Sequence, residues 1–480
     1  MVWTVLLTML QAPAWADRPT EAGLVVNPLV AVDLAGDRDQ EDGFESWIWL
    51  SAHARQPGST GWFLGVDAEH HLRNGEDLEA TWAVRAAESG WSGPVGPFHL
   101  RAGHLVERWG KLDLLPVVNV LNPMDLRAGP LSSVETTRIP LPMARLQAGS
   151  DKVRAELVLI PFAGADRMEL QGSDWSVIRP GMLEGLIDEA VDWEGGAGVF
   201  LADSVQALQD GMDAMDPSTL RGLTGGLSET GKPEAIISTG EAALRLEFEG
   251  PGIDAALMGG ALRSHSPATD LDPELRAILK DGEWPALDQI SELTSSMAEP
   301  LSAEWPRTWF AGTELSTTLG PIGLRAEGGW WSDVVVQTPW LDSAVVPRVA
   351  GGVGLDWAHG STVMLSLEGR YTQHIDAPAP LFLMREAQLD IGAMARVSTL
   401  SDRLVLQAAS MLVPEHGEYL VRPEVRYRAS DQLELGLGCV VLGGPDAPPT
   451  TLREAMGYGG GPMSYFGEND SLFAQLRWIQ

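Results

Sequence analysis

The sequence predicts an all-β protein: a transmembrane antiparallel β-barrel of about 16–18 strands with helical loop insertions. Three observations carry that expectation. Apolar and polar residues alternate with period two along many segments. Tight turns and long irregular links follow one another down the chain. Beyond the first residues, no run of about 18 apolar residues offers a membrane-spanning helix.

In chain order, Val2 to Leu10 is a short apolar stretch, and Ala14-Trp15-Ala16 before Asp17 is a small-x-small cleavage pattern, although no Lys or Arg precedes it. The expectation is a signal peptide over 1–16 and a single barrel over 17–480. Cys439 is the only cysteine, so an internal disulfide is excluded.

The alternation is plain in several segments. Leu244, Leu246 and Phe248 share one phase and Arg245, Glu247 and Glu249 the other. Val349, Val353, Leu355 and Trp357 alternate with Arg348, Gly352, Gly354 and Asp356, and Val421, Val425 and Tyr427 with Arg422, Glu424, Arg426 and Arg428. Successive strand side chains face opposite sides of a sheet, so each segment has one apolar and one polar face. Eighteen strands are predicted at 25–35, 43–56, 61–72, 79–93, 96–107, 136–149, 151–163, 238–250, 251–263, 304–319, 320–333, 347–359, 360–374, 386–400, 401–414, 417–430, 431–443 and 469–478. Tight links such as Gly149-Ser150-Asp151, Leu319-Gly320-Pro321 and Leu400-Ser401-Asp402 contrast with long ones at 164–237, 263–304, 333–346 and 443–469. Short turns on one rim and long loops on the other select a membrane barrel over a sandwich. Closure removes every unpaired edge from lipid. Trp47, Trp49, Trp62, Trp82, Trp309, Trp330, Trp331, Trp357 and Trp478 lie in or beside these strands and are expected mainly in girdles at the headgroup level; sugar-stacking inside the lumen is the competing reading.

Two insertions read as helical. The first, about 174–216, has apolar stripes through Ile178, Met182, Leu186 and Ala190 and through Val205, Leu208 and Met212, and the link from 164 to 236 holds 14 acids against 4 bases. The second, about 272–296, opens at Asp272-Pro273-Glu274. They are expected as a cap, a plug or a partner-docking surface. The net charge of −33 disfavours nucleic acid as a partner, attracts cations and keeps loops soluble.

From His99-Leu100-Arg101-Ala102-Gly103 the chain runs through Arg108-Trp109-Gly110-Lys111-Leu112-Asp113 to Asn122-Pro123-Met124-Asp125-Leu126-Arg127 and Arg138-Ile139-Pro140-Leu141-Pro142-Met143. In these stretches it resembles a large, poorly characterised family of proteobacterial outer-membrane barrels, known as a domain of unknown function and akin to alginate-export-type porins. Ser401-Asp402-Arg403-Leu404, Leu420-Val421-Arg422-Pro423 and Phe466-Gly467-Glu468-Asn469-Asp470 extend the resemblance to the last hairpins. It implies an outer-membrane location, with outer-membrane lipid, lipopolysaccharide and the barrel-assembly machinery as partners. Two features depart from it: the helical insertion is longer than expected, and Trp478 stands two residues short of the end.

The polar link after Arg108 is the candidate site. Folded inward, it would narrow the lumen, with Trp109, Asp113, Asn122, Asp125 and Arg127 as constriction residues setting charge selectivity; alternatively these charges form a turn-stabilising ion-pair network. Arg348, Glu368, Arg370, Arg396, Arg422, Glu424, Arg426 and Arg428 are assigned to the lumen wall by their phase, either guiding an anionic solute or cross-linking the wall by ion pairs. His70 and His71 are adjacent on a strand and point to opposite faces, so no metal site is assigned. Cys439 falls on the lipid-facing phase. No Gly-x-Ser-x-Gly, His-Glu-x-x-His or phosphate-loop motif is present, and neither an enzyme nor a cofactor is expected. The expected function is a porin-like channel for a small solute. The alternatives are a plugged barrel moving lipid or hydrophobic molecules, and a surface receptor or structural barrel.

Overall fold

The computed structural model describes residues 21–33, 44–56, 60–74, 78–131, 137–167, 240–271, 301–360 and 362–479, with single residues at 175, 273, 276, 277 and 280. The predicted signal segment and nearly all of both helical insertions lie outside the described residues. The strands are β1 Glu21–Asp33, β2 Phe44–Arg55, β3 Gly61–Asn74, β4 Leu78–Ala86, β5 Ser89–Val95, β6 Phe98–Leu105, β7 Leu141–Gly149, β8 Val153–Ile160, β9 Glu241–Gly250 and β10 Ile253–Arg263. There follow β11 Ala268–Leu271, β12 Leu301–Glu304, β13 Arg307–Leu319, β14 Ile322–Thr338, β15 Asp342–His359, β16 Val363–His374, β17 Ala387–Thr399, β18 Leu404–Val413, β19 Glu418–Arg428, β20 Leu433–Gly443 and β21 Ser471–Ile479. Two short helices, α1 Leu452–Met456 and α2 Pro462–Tyr465, lie between β20 and β21.

Every barrel strand pairs antiparallel with its neighbours, and β1 pairs with both β2 and β21, so the sheet closes on itself. The strands β4 and β5 both pair with β3 and form one broken stave, giving a closed 18-stranded barrel. The break is a bulge: the register moves from Val66↔Ala86 to Phe63↔Gly90, one residue more on the β4–β5 side. That is why the stave predicted as continuous over 79–93 is interrupted at Ala87–Glu88. The small hairpin β11–β12 stands outside the barrel sheet.

Period-two patterning translates directly into two faces. Leu257, Val353, Leu367 and Leu437 project outward and are more than half exposed, a face that only lipid can cover. The inward face carries Glu156, Glu314, Glu327, Glu368 and Asp390, all buried. Cys439 pairs opposite the exposed Leu472 on the outer phase. At one rim the strands are joined only by short links, at 56–60, 96–97, 150–152, 251–252, 320–321, 360–362, 400–403 and 429–432. The long links 106–140, 161–240, 264–306 and 444–470 all leave the opposite rim.

Two expectations are corrected. The predicted loop 333–346 is strand: β14 and β15 run on to a tip at Pro339–Leu341. A register shift between Trp331 and Val334 reverses the phase there, which hid the continuation from a period-two reading. The tryptophans also divide between the faces. Trp82, Trp309 and Trp330 are exposed on the outside, whereas Trp47, Trp49 and Trp331 are buried in the lumen. Trp47 stacks on His71 with ring centroids 3.7 Å apart, and Arg348 lies 3.9 Å from the Trp331 ring centroid.

Candidate functional site

The link between β6 and β7 enters the barrel. Its root is tied by Asn122, which is fully buried: its Oδ1 accepts from the Glu107 N–H at 2.8 Å, and its Nδ2 donates to the Leu105 and Ile139 carbonyls at 2.9 Å each. One side chain thereby joins both strand ends to the loop. Trp109 is buried too, and its indole N–H donates to Glu156 on β8 at 2.8 Å. Around it Leu105, Leu112, Val117, Val118 and Leu121 pack against Met143, Val158, Met258, Phe310 and Trp331 from the barrel wall. A buried indole needs a partner for its N–H, and a charged acceptor strengthens the bond.

The segment 110–118 is held through its backbone. The Gly110 N–H donates to Glu314 at 2.8 Å. Lys111 and Leu112 donate to one oxygen of Glu327, the latter at 2.6 Å, and Val117 and Val118 to its other oxygen at 2.7 and 3.1 Å. Asp113 donates to Glu368 Oε1 at 2.9 Å, and Leu114 and Leu115 to its Oε2 at 3.0 and 2.8 Å. Pro116 has no N–H to place; its carbonyl accepts from Arg370 at 3.3 Å. Wall glycines leave room for the loop: a Cβ on Gly352 would lie 2.5 Å from Leu112, and one on Gly392 3.2 Å from Leu114.

The far end of the loop reaches the other side of the lumen. Ala128 and Leu131 join Leu29, Trp47, Leu442 and Phe473 in a second buried cluster, and Arg422 donates to the Pro130 carbonyl at 2.9 Å. The loop thus spans the lumen from the β7–β14 wall to the wall formed by β1, β2, β20 and β21.

The structure separates the five loop candidates. Asp113 is exposed, with a side chain 70% accessible that pairs with Arg325 at 2.6 Å. Trp109 and Asn122 are buried anchors. Asp125 and Arg127 pair at 2.7 Å, with Arg127 also 2.7 Å from Glu69, and Arg85 3.1 Å from Asp125. Burial pushes the Asp125 carboxyl up, but Arg127, Arg85 and Arg167 outweigh it and hold that carboxyl below its ordinary value. Glu107 goes the other way: burial raises it, and Arg145 only partly offsets that.

All eight wall candidates share the inward face. Glu368 holds the loop, and Arg370 pairs with Asp390 at 2.8 Å. Glu424 lies between Arg422 and Arg426 at 3.9 and 3.5 Å. Arg348 rests on Trp331, and Arg396 and Arg428 are exposed on that face. Glu107, Glu156, Glu314, Arg325 and Glu327 were not singled out in the sequence, although each of the last four lies on the inward phase of its strand. His70 and His71 lie on opposite faces, His70 against Trp82 and His71 against Trp47. Ser266, His265 and Asp166 converge at the long-loop rim, but the Ser266 hydroxyl bonds to Asp166 at 3.3 Å and His265 Nδ1 lies 4.0 Å from the same carboxylate. Asp166 also accepts from the Met124 N–H at 2.7 Å, so this group ties loops together and lacks the hydroxyl-to-imidazole contact of an acyl-transfer site.

No protein-family model matches the chain, and no curated protein matches it. Solved structures to which it is similar include OccK8 (OprE) of Pseudomonas aeruginosa, with 7% identity and a TM-score of 0.47 over 96% of this chain and 98% of that one. OccK7 (OpdD) of the same organism gives 8% and 0.45 over 97% and 99%, and Salmonella typhi OmpF in complex with daunomycin 8% and 0.39 over 96% and 97%. With so little shared sequence, no residue of this chain can be equated with one of theirs.

Proposed function

We propose that this chain is an outer-membrane, porin-like channel for small hydrophilic solutes, narrowed by the loop 106–140. The observation that carries this is a polar, charge-lined lumen crossed by the anchored loop after β6, inside a barrel whose outer face is apolar. A closed sheet of this strand number encloses an aqueous lumen wider than side chains alone can fill. No chemistry on the solute is involved: passage is filtered by size and by charge at the loop. Outer-membrane lipid and lipopolysaccharide are the surroundings this exterior requires, and the barrel-assembly machinery is the route by which such a sheet enters the membrane. The resemblance to alginate-export-type porins suggests a solute class, and an uptake or efflux assay with uronic-acid oligomers checks it.

A second reading is a plugged barrel, favoured by the loop's contacts with both sides of the lumen. Single-channel conductance of the refolded protein in a planar bilayer, under a salt gradient, decides between them. Ohmic, cation-preferring steps support the open channel; silence from a demonstrably folded barrel supports the plug.

A further inference from the structure

We propose that position and charge at the constriction are set by different groups. Glu327 and Glu368, assisted by Glu314, are positioning residues that grip segment 110–118 by its backbone, while the water-exposed side chain of Asp113 on that same segment determines ion specificity. This rests on the channel reading above.

Every backbone N–H from Gly110 to Val118, Pro116 having none, is spent on one of three wall carboxylates. A backbone N–H is the same whatever side chain follows it, so this grip does not read the loop's sequence. The apolar side chains of the segment are turned to the wall, Leu112 over Gly352 and Leu114 over Gly392. Asp113 is turned to the water, its side chain 70% accessible, whereas Lys111 is only 29% accessible and its Nζ lies 4.0 Å from Glu314, so its charge belongs to the grip. Arg325 bridges Asp113 to the wall, and it has two further carboxylate partners that do not involve Asp113, Asp356 at 2.8 Å and Glu368 at 3.0 Å. The side chain at position 113 is therefore expected to be exchangeable without moving the segment. A carboxamide in place of either gripping carboxylate has the opposite effect. It keeps one acceptor oxygen and turns an NH2 group toward N–H donors, so half of that grip is lost while the loop's own charges stay.

The test uses the refolded full chain and two readouts, amide hydrogen exchange over residues 110–118 and the reversal potential in a salt gradient. Glu327→Gln and Glu368→Gln, singly and together, are expected to speed exchange of these amides by about tenfold or more, with Asp113→Lys changing it by less than about twofold. Asp113→Lys is expected to move the reversal potential toward anion preference. If a carboxamide variant does not fold, Gly392→Val, which crowds Leu114 and removes no carboxylate, is expected to speed the same amides. Unchanged exchange in the double variant and in Gly392→Val would overturn the positioning role. Exchange in Asp113→Lys as fast as in the carboxamide variants, or an unmoved reversal potential, would overturn the separation of position from charge. Silence of the folded wild type would overturn the channel reading and the specificity role with it, while the exchange results would still decide the positioning role.

Discussion

Asp125 takes hydrogen bonds from Arg127 at 2.9 and 2.7 Å and has Arg85 beside it, so its charge is spent inside the loop's own anchorage. Removing one member of such a buried network leaves its partners uncompensated, and Asp125→Asn is expected to cost about 3 kcal/mol at neutral pH. The pH dependence follows from the direction of the shift. The folded-state carboxyl lies below its ordinary value of 3.8, so its contribution is complete above that value and is lost as pH falls through the folded one. Denaturant unfolding of wild type and variant at neutral pH and near pH 2 should therefore show a difference that shrinks in acid; a difference that persists unchanged would contradict this account. The sequence could mark Asp113, Asp125 and Arg127 as charged groups in one loop, but not which of them water reaches. Glu69 and Arg85 come to Asp125 and Arg127 only through the stagger of β3 and β4, a relation with no local signature.

At the scale of elements, nearly every strand was legible, because lipid outside and water inside impose the same two-residue period on each stave. The misreadings fall where that period breaks, at the β4–β5 bulge and beyond Trp331 in β14. The loop was legible as a long polar link, but its course was not, since the acids that hold it are scattered over β8, β13, β14 and β16. Gly110 is a sharp test of that course. Its φ of +102° is a conformation side chains rarely adopt, and a Cβ there would lie 2.6 Å from Glu327. Gly110→Ala is expected to cost about 1–3 kcal/mol in strain and to loosen the first turn of the segment. Faster proteolysis or exchange confined to the loop would be the sign of it; a variant indistinguishable from wild type would mean that the loop is not held as described.

For the whole molecule, the outer surface is apolar while the lumen face carries paired charges beside the apolar clusters that hold the loop, so the two faces should respond differently to a change of charge. Leu257 lies near the middle of β10 and is 57% exposed on the lipid side. Leu257→Arg is expected to destabilise the barrel in bilayers by about 2–4 kcal/mol, whereas Asp113→Asn, in the lumen, should leave stability nearly unchanged. Equal effects of the two in a vesicle-unfolding experiment would contradict the assignment of outside to lipid. The central claim, that a backbone-held loop narrows a water-filled barrel, is tested most directly by comparing single-channel conductance of the wild type with that of a chain in which residues 111–117 are replaced by a short Gly-Ser link. The account predicts steps in the wild type and distinctly larger steps in the shortened chain. Identical steps in both, or no conductance from either folded barrel, would contradict it.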